Sequence, residues 1–260
     1  MSAQDPAPAV RLSVVIPAFN EEERLEGTLA RVFEYLSGRG GAFEVIVVDD
    51  GSTDGTVATA RRAAESRGGL RVVLNGRNRG KGFSVRRGVE ESRGEFILFS
   101  DADLSTPIED IEKLFHALLD GGYDIAIGSR SIRGSDVRVR QPWYRELMGK
   151  TFNKVVRLFT LRGFHDTQCG FKLFTGAAAR DVFSRQRVER FSFDVEALYL
   201  ARKGGYRIAE VPVTWYNSPR SRVSIVGDPV QMFLDVLRIR FYDIRGLYRS
   251  GGSGGGGMTQ

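Results

Sequence analysis

Short apolar segments that alternate with helical patterns constrain the fold of this chain more than any other feature. Strand-like runs rich in β-branched residues occupy 12–16, 44–48, 70–74, 95–100 and 124–127. Apolar residues at helical spacing follow them in 21–36, 55–66, 82–92 and 107–119. Alternating strands and helices build a parallel sheet with helices on both faces and right-handed crossovers. The sequence therefore predicts an α/β domain with a mostly parallel sheet.

Two of these strands end in acidic residues. Asp101-Ala102-Asp103 follows the fourth strand, and Asp49 and Asp50 follow the second. Side chains alternate along an extended segment, so we expect Asp101 and Asp103 on one side, where their carboxylates can hold Mg²⁺ or Mn²⁺ beside phosphate oxygens. Ligands of open α/β sheets bind outside the carboxyl ends of the strands. Both acidic ends are therefore expected to border one crevice.

Length and composition are those of a single globular domain. The chain has 260 residues, of which 42% are apolar and 27% charged. We expect a disordered stretch over 1–10, one domain over 11–249 and a flexible Gly/Ser tail over 250–260. The lone Cys169 and the two histidines form no zinc-like cluster, and no signal or membrane-spanning pattern is present. These features predict a cytoplasmic protein.

The two halves of the chain carry opposite charge. Residues 1–129 hold 15 basic and 21 acidic side chains, and residues 130–260 hold 23 basic and 11 acidic ones, so the net charges are −6 and +12. The acidic half suits a divalent cation, and the basic half suits an anionic acceptor, nucleic acid or an anionic membrane surface. Solubility alone is the other explanation. The Arg-rich stretch lacks interleaved aromatic residues, which argues against nucleic acid.

The basic half contains one irregular segment and two amphipathic patterns. The segment 129–141 holds four arginines without helical or strand period, which predicts a mobile loop over the site. Basic amphipathic helices are predicted over 141–161 and 229–248. The second has an apolar face made of Val230, Phe233, Leu234, Leu237, Phe241 and Ile244. Such helices either lie in the headgroup layer of a membrane or pack on the sheet.

Four segments in order resemble the inverting glycosyltransferases of family 2, which have the GT-A fold. They are VIPAFNE at 15–21, VDDGSTD at 48–54, NRGKG at 78–82 and Asp101-Ala102-Asp103. Three later segments resemble the polyprenyl-phosphate branch of that family, and within it the enzymes that transfer glucose rather than mannose. They are DTQCGFK at 166–172, FDVE at 193–196 and EVPVTW at 210–215.

The resemblance implies that glucose is moved from UDP-glucose to a polyprenyl phosphate of the dolichyl type at the cytoplasmic face of a membrane, with Mg²⁺ or Mn²⁺ on Asp101 and Asp103. Other donors, GDP-mannose or UDP-N-acetylglucosamine, and a soluble acceptor remain alternatives. A non-catalytic module that binds nucleotide sugars or anionic surfaces is a further alternative of another class.

The resemblance also assigns donor-binding roles. Residues around the nucleoside and the sugar diphosphate would be Pro17, Phe19, Glu21, Asp49, Asp50, Lys81 and Asp101. Members of the family often have Tyr where this chain has Phe19, which keeps the ring contact and removes a hydroxyl. Arg220 and Arg222, after the last strand, would reach the donor diphosphate, or belong to an ordinary surface loop.

The catalytic residues implied are Asp166, Asp194 and Arg130. The guanidinium of Arg130 can hold two phosphate oxygens. Asp166 would position the acceptor or take its residual proton, or else pair with a neighbouring arginine. Asp194 and Glu196 are its rivals as a base, although the helical pattern after them predicts that their side chains diverge. A phosphate monoester has a second pKa of about 6, so a base matters less here.

Overall fold

The computed structural model describes residues 10–139, 149, 151–154, 156, 160–161, 163–217 and 227–248. The predicted disordered stretch, apart from residue 10, and the Gly/Ser tail lie outside these residues. So do most of the predicted helix over 141–161 and both Arg220 and Arg222.

The described part of the chain alternates strands and helices as expected. The strands are β1 Leu12–Ala18, β2 Phe43–Asp49, β3 Leu70–Leu74, β4 Phe96–Ser100, β5 Ile125–Ser129, β6 Asp136–Val139, β7 Phe171–Thr175, β8 Ile208–Pro212 and β9 Thr214–Tyr216. The helices are α1 Glu22–Arg39, α2 Thr56–Ser66, α3 Lys81–Glu91, α4 Ile111–Leu119, α5 Gly176–Arg185, α6 Phe193–Lys203 and α7 Gly227–Ile244. A 3-10 turn at Ile108–Asp110 opens the segment predicted as one helix over 107–119.

Seven strands form one twisted sheet in the order β3-β2-β1-β4-β7-β5-β8. All neighbours are parallel except β7, which runs antiparallel to both β4 and β5. The mostly parallel sheet confirms the predicted fold class, but the sequence did not reveal β7. Its direction matters, because Phe171 at the start of β7 pairs with Ser100 at the end of β4. The chain before β7 therefore reaches the edge of the sheet where Asp101 lies.

Helices cover both faces of the sheet, and alternate residues of each strand divide between two cores. Val14 and Ile16 of β1 belong to the core beneath α1, α2 and α4. Val15 belongs to the core beneath α3, α5, α6 and α7. Strands buried on both faces read as continuous apolar runs, which is why these segments were recognisable in the sequence.

The segment 129–141 corrects one prediction. It was expected to have no strand, whereas residues 136–139 form β6 and pair in parallel with β9. The pairing shifts register between Val137 and Val139, and the strand is only partly buried. Because a short, bulged strand with no buried face has no apolar alternation, its sequence gave no strand signal.

Helix α7 carries apolar residues on two faces. Met232, Val236 and Ile239 are buried in the core. On the side away from the core lies a row that we call the outer stripe, in which each side chain is between 39% and 78% exposed. The outer stripe consists of Phe233, Leu234, Leu237, Phe241 and Ile244. These are the residues of the apolar face predicted from the sequence apart from Val230, whose side chain lies outside the described part of the structure. No helix within the described residues is long and apolar enough to cross a bilayer.

Gly88 lets α3 lie against the centre of the sheet. A Cβ atom at this position would stand 2.2 Å from Cγ1 of Val15. We expect Gly88→Ala to lower the free energy of unfolding by about 1–3 kcal/mol, because the overlap outweighs the better helix propensity of alanine. Gly27 in α1 is the matched control, since a Cβ atom there meets nothing within 4 Å. Gly27→Ala should raise the free energy of unfolding by about 0.5–1 kcal/mol.

Urea denaturation of the two variants beside the parent protein measures both effects. Stabilisation by Gly88→Ala similar to that by Gly27→Ala would contradict the close packing of α3 on β1.

Candidate active site

The predicted site residues within the described part of the chain gather at one edge of the sheet. The carboxyl ends of β1, β2, β4 and β5 meet there, as parallel strands require. The antiparallel β7 contributes the segment before its first residue, which contains Asp166.

Asp101 and Asp103 lie in a turn, not in the extended segment that we expected. The amide of Leu104 donates to the carbonyl of Asp101 at 3.2 Å, and Leu104 has φ 45°. Oδ1 of Asp103 accepts a hydrogen bond from the Ser105 amide at 2.9 Å. The chain turns here because it leaves the sheet directly after Ser100. Both carboxylates nevertheless remain partly open to solvent, with side-chain exposures of 32% and 20%.

Lys81 pairs with the first of these acids. It is the first residue of α3, and its Nζ lies 2.5 Å from Oδ1 of Asp101. Burial opposes the charge of Lys81, but Asp101 and Asp194 outweigh it and raise the pKa of Lys81. The ammonium therefore stays charged at neutral pH. Gly170 packs on the same carboxylate, since a Cβ atom there would stand 2.0 Å from Oδ2 of Asp101.

The VIPAFNE segment is tied to the loop after β2. The Asn20 amide donates to Oγ of Ser52 at 2.9 Å, and Oδ1 of Asn20 accepts from the Thr53 amide at 2.8 Å. The Glu21 amide donates to Oγ1 of Thr56 at 2.7 Å. These bonds hold two of the predicted donor-binding segments together. Pro17 is buried, and Phe19 and Glu21 are half-buried at the end of β1.

Asp50 holds the turn that carries Lys81. Its carboxylate accepts hydrogen bonds from Nδ2 of Asn75 at 2.9 Å and from the amides of Arg79 and Gly80 at 3.0 and 2.7 Å. The predicted contact of Asp50 with a nucleoside therefore competes with three protein donors.

Asp49 retains an unused acceptor. Its Oδ2 accepts from the amides of Gly51 and Ser52 at 3.0 and 3.1 Å. Its Oδ1 is buried and has no hydrogen-bond partner among the described residues. A buried oxygen without a donor is costly, so this atom suits a ligand N–H or O–H group.

Arg130 and Asp166 form a bidentate pair. Nε and Nη2 of Arg130 donate to Asp166 at 2.6 and 2.8 Å, and the Arg130 amide donates at 3.0 Å. Burial opposes the charge of Asp166, but Arg130 outweighs it and lowers the pKa of this carboxyl. The pair fixes the plane of the guanidinium, which also lies 5.3 Å from the ring centre of Trp215. Asp166 therefore pairs with an arginine, which is one of the roles that the sequence left open for it.

Asp194 and Glu196 diverge at the start of α6, as the helical pattern predicted. Oδ1 of Asp194 lies 2.5 Å from Nζ of the buried Lys172. The carboxylate of Glu196 accepts hydrogen bonds from the Arg187 amide at 3.1 Å and from the Val188 amide at 2.7 Å. It also accepts one from the Tyr248 hydroxyl at 2.5 Å. Burial raises the pKa of both carboxyl groups. Glu196 thus has a structural role, because it ties Tyr248 to the segment between α5 and α6.

Sequence reasoning assigned no role to Lys172 or Arg24. Lys172 lies at the end of the DTQCGFK segment and is flanked by Phe171 and Leu173. These apolar neighbours were the sequence feature that could have indicated a buried lysine. Arg24 follows Glu21 by three residues at the start of a helix, which is ion-pair spacing. The structure pairs these two side chains, with 2.7 Å between Nη2 of Arg24 and Oε1 of Glu21.

The carboxylates of Asp101 and Asp103 fit a Mg²⁺ or Mn²⁺ ion shared with a diphosphate. No group of three or more His, Cys, Asp or Glu side chains able to hold a metal occurs among the described residues. Two partly exposed carboxylates are the ligands that Mg²⁺ takes when substrate phosphates and waters complete its shell. The predicted metal residues therefore suit a metal that arrives with its substrate.

The sheet order and the acidic residues at the carboxyl ends of its strands agree with the family to which the sequence belongs. The chain belongs to glycosyl transferase family 2, whose sequence profile matches residues 13–183. Solved structures of the same fold include glucosyl-3-phosphoglycerate synthase from Mycobacterium tuberculosis, at a TM-score of 0.64 and 22% identity, over 96% of this chain and 84% of that one. Another is mannosyl-3-phosphoglycerate synthase from Rubrobacter xylanophilus, with a TM-score of 0.66 and 20% sequence identity. The match covers 96% of this chain and 79% of that one. They confirm the GT-A fold.

Within the family, the chain is similar to dolichyl-phosphate β-glucosyltransferases. The human enzyme is 39% identical over 255 residues, which cover 94% of this chain and 79% of that one. The enzyme of Dictyostelium discoideum is 35% identical, over 95% of this chain and 79% of its own length. The enzyme of Saccharomyces cerevisiae is 34% identical, over 92% of this chain and 76% of its own length. The predicted resemblance is confirmed, and the chain is a glycosyltransferase.

Asp103→Asn tests the acidic pair. If Asp103 holds a divalent metal, we expect glycosyl transfer to fall by about 100-fold or more, because a neutral amide is a far weaker ligand than a carboxylate. Steady-state rates over a Mn²⁺ titration measure this loss. Asp120→Asn is the control, since Asp120 is exposed and pairs with His116 on α4. Full activity of Asp103→Asn at every Mn²⁺ concentration would reject the metal role.

Proposed function

We propose that this chain transfers glucose from UDP-glucose to a polyprenyl phosphate of the dolichyl type. The observation that carries the proposal is that two different charged pairs lie at one edge of the sheet. Asp101 and Asp103 suit a metal and the donor diphosphate. Arg130, held by Asp166, suits the phosphate of an acceptor. The names of the relatives support a dolichyl phosphate acceptor.

The donor side follows from the groups at the ends of β1 and β2. Phe19 offers its ring to the nucleoside, and Oδ1 of Asp49 offers a buried acceptor to its base or ribose. Lys81 stands beside the position of the diphosphate. When bound to Asp101 and Asp103, Mg²⁺ or Mn²⁺ supplies positive charge to the leaving diphosphate. The synthase from Mycobacterium tuberculosis, of the same fold, was solved with Mn²⁺ and UDP-glucose, which supports this donor.

The reaction needs little proton transfer. An oxygen of the lipid phosphate attacks the anomeric carbon of glucose, the bond to the UDP oxygen breaks, and the configuration inverts. The attacking phosphate is already ionised above its second pKa of about 6. Asp166, whose pKa is lowered, is a poor proton acceptor and acts by orienting Arg130. Asp194, bonded to Lys172, acts as a buried counter-ion.

The outer stripe of α7 supports a membrane location. Its large apolar side chains are exposed on a helix whose other face is buried, and the flanking cations include Arg238, Arg240 and Arg245. An apolar row edged with arginines suits acyl chains bordered by anionic headgroups. We propose that the protein acts at the cytoplasmic face of a membrane, with the stripe in the headgroup layer.

A transfer assay with a donor panel tests the substrates. We expect UDP release and lipid-linked glucose from UDP-glucose with polyprenyl phosphate, and loss of both products when EDTA removes the metal. GDP-mannose and UDP-N-acetylglucosamine should transfer little sugar. Transfer to 3-phosphoglycerate in place of the lipid would replace this proposal with a soluble acceptor, and UDP-glucose binding without any transfer would favour a binding module.

Vesicle sedimentation tests the stripe. We expect the parent protein to sediment with phosphatidylglycerol vesicles. Phe241→Glu should bind the vesicles about tenfold more weakly, because the apolar contact between Phe241 and the acyl chains is replaced by a negative charge that anionic lipids repel. Leu119→Glu is the matched control, since Leu119 and Phe241 are both 51% exposed but Leu119 lies on α4. Equal loss in both variants would show that added charge alone, and not the stripe, explains the binding.

A further inference from the structure

Arg24 and Lys81 stand on either side of the acidic pair. Nη1 of Arg24 lies 3.9 Å from Oδ2 of Asp103, and Nζ of Lys81 lies 2.5 Å from Oδ1 of Asp101. The two cations come from the first turns of different helices, α1 and α3. Each carboxylate of the acidic pair therefore has a cation of its own.

Arg24 faces more negative charge than one partner supplies. Its Nε and Nη2 donate to Glu21, and both Asp103 and Asp101 act on it electrostatically. Its side chain is 25% exposed and that of Asp103 20%, so both side chains remain partly accessible to a ligand. The hydrogen bond to Glu21 outweighs burial and raises the pKa of Arg24, so its charge is permanent.

The charges of the crevice suggest a use for Arg24 both without ligands and with a metal and a diphosphate bound. Without ligands, Arg24 reduces the repulsion between Asp101 and Asp103 and competes with any divalent ion for them. When a metal supplies that charge, the same guanidinium has surplus positive charge beside the carboxylates. A diphosphate that arrives with the metal can accept hydrogen bonds from it, and charge-assisted bonds to phosphate are among the strongest in proteins.

We propose that Arg24 is a diphosphate-binding residue that exchanges partners, with Asp103 as its counter-ion in the empty crevice and a phosphate oxygen of the donor in the loaded one. This inference rests on the proposed function, because it takes a nucleoside diphosphate with a divalent metal as the ligand. It predicts effects of opposite sign on metal and nucleotide binding when the charge is removed. A purely structural role of Arg24 on Glu21 predicts no such reversal.

The test uses Arg24→Gln and three binding measurements. In the absence of nucleotide, we expect the variant to bind Mn²⁺ about threefold more tightly, measured by the electron paramagnetic resonance signal of free Mn²⁺, because a competing cation is gone. With Mn²⁺ saturating, we expect UDP to bind about tenfold more weakly by titration calorimetry, because a charge-assisted bond is lost. Binding of uridine, which has no phosphate, should not change in ligand-observed NMR.

Two further variants serve as controls. Arg24→Lys should recover part of the UDP affinity, since it restores the charge without the planar fork. Arg39→Gln should leave all three affinities unchanged, because Arg39 lies at the far end of α1 and pairs with Glu112 at 2.5 Å.

The outcomes are distinguishable. Weaker Mn²⁺ binding by Arg24→Gln, or equal losses for uridine and UDP, would overturn the inference and leave Arg24 as a support for Glu21. Unchanged UDP affinity in Arg24→Gln would also overturn it. Failure of the parent protein to bind UDP with Mn²⁺ would instead reject the donor in the proposed function.

Discussion

The antiparallel pairing of β7 between β4 and β5 is the interaction on which the rest of the site depends. Because β7 runs against its neighbours, its first residue pairs with Ser100, the last residue of β4. The Asp101 amide then donates to the carbonyl of Gly170 at 3.1 Å, and Lys172 inside β7 reaches the carbonyl of Cys169 at 2.5 Å. A parallel strand would present its carboxyl end here instead, and these contacts would be lost.

Three ion pairs lie near the point where β7 pairs with β4. Asp101 pairs with Lys81, Asp194 with Lys172, and Asp166 with Arg130. Each carboxylate is buried or half-buried, and its partner offsets the cost of burying a negative charge. The same arrangement divides the acids by exposure. Asp166 and Asp194 are almost fully buried beside their partners, whereas the side chains of Asp101 and Asp103 remain 32% and 20% exposed.

The sequence predicted the parts of this arrangement that are local. Strands β1, β2, β4 and β5 are buried on both faces and are read from continuous apolar runs, and the acidic pair follows β4 directly. The direction of β7 could not be read, because it depends on pairing with β4 some seventy residues earlier in the chain. The turn at Asp101 was missed for a related reason, since a run that ends in Ser100 gives no sign of where the chain turns. Lys172 received no role from the sequence, because its buried partner Asp194 lies 22 residues later in the chain, on α6.

Glu196 and Tyr248 reveal how far the folding unit extends. The family profile ends at residue 183, but β8, α6 and α7 complete the sheet and one of its two cores. Tyr248 closes this region by donating to Glu196, whose carboxylate also holds the Val188 amide. A truncation at the profile boundary would remove α6 and α7 from one side of the sheet and, with β8 gone, expose β5 as a new edge. The smallest autonomous unit of this protein is therefore considerably larger than the segment by which its family is recognised.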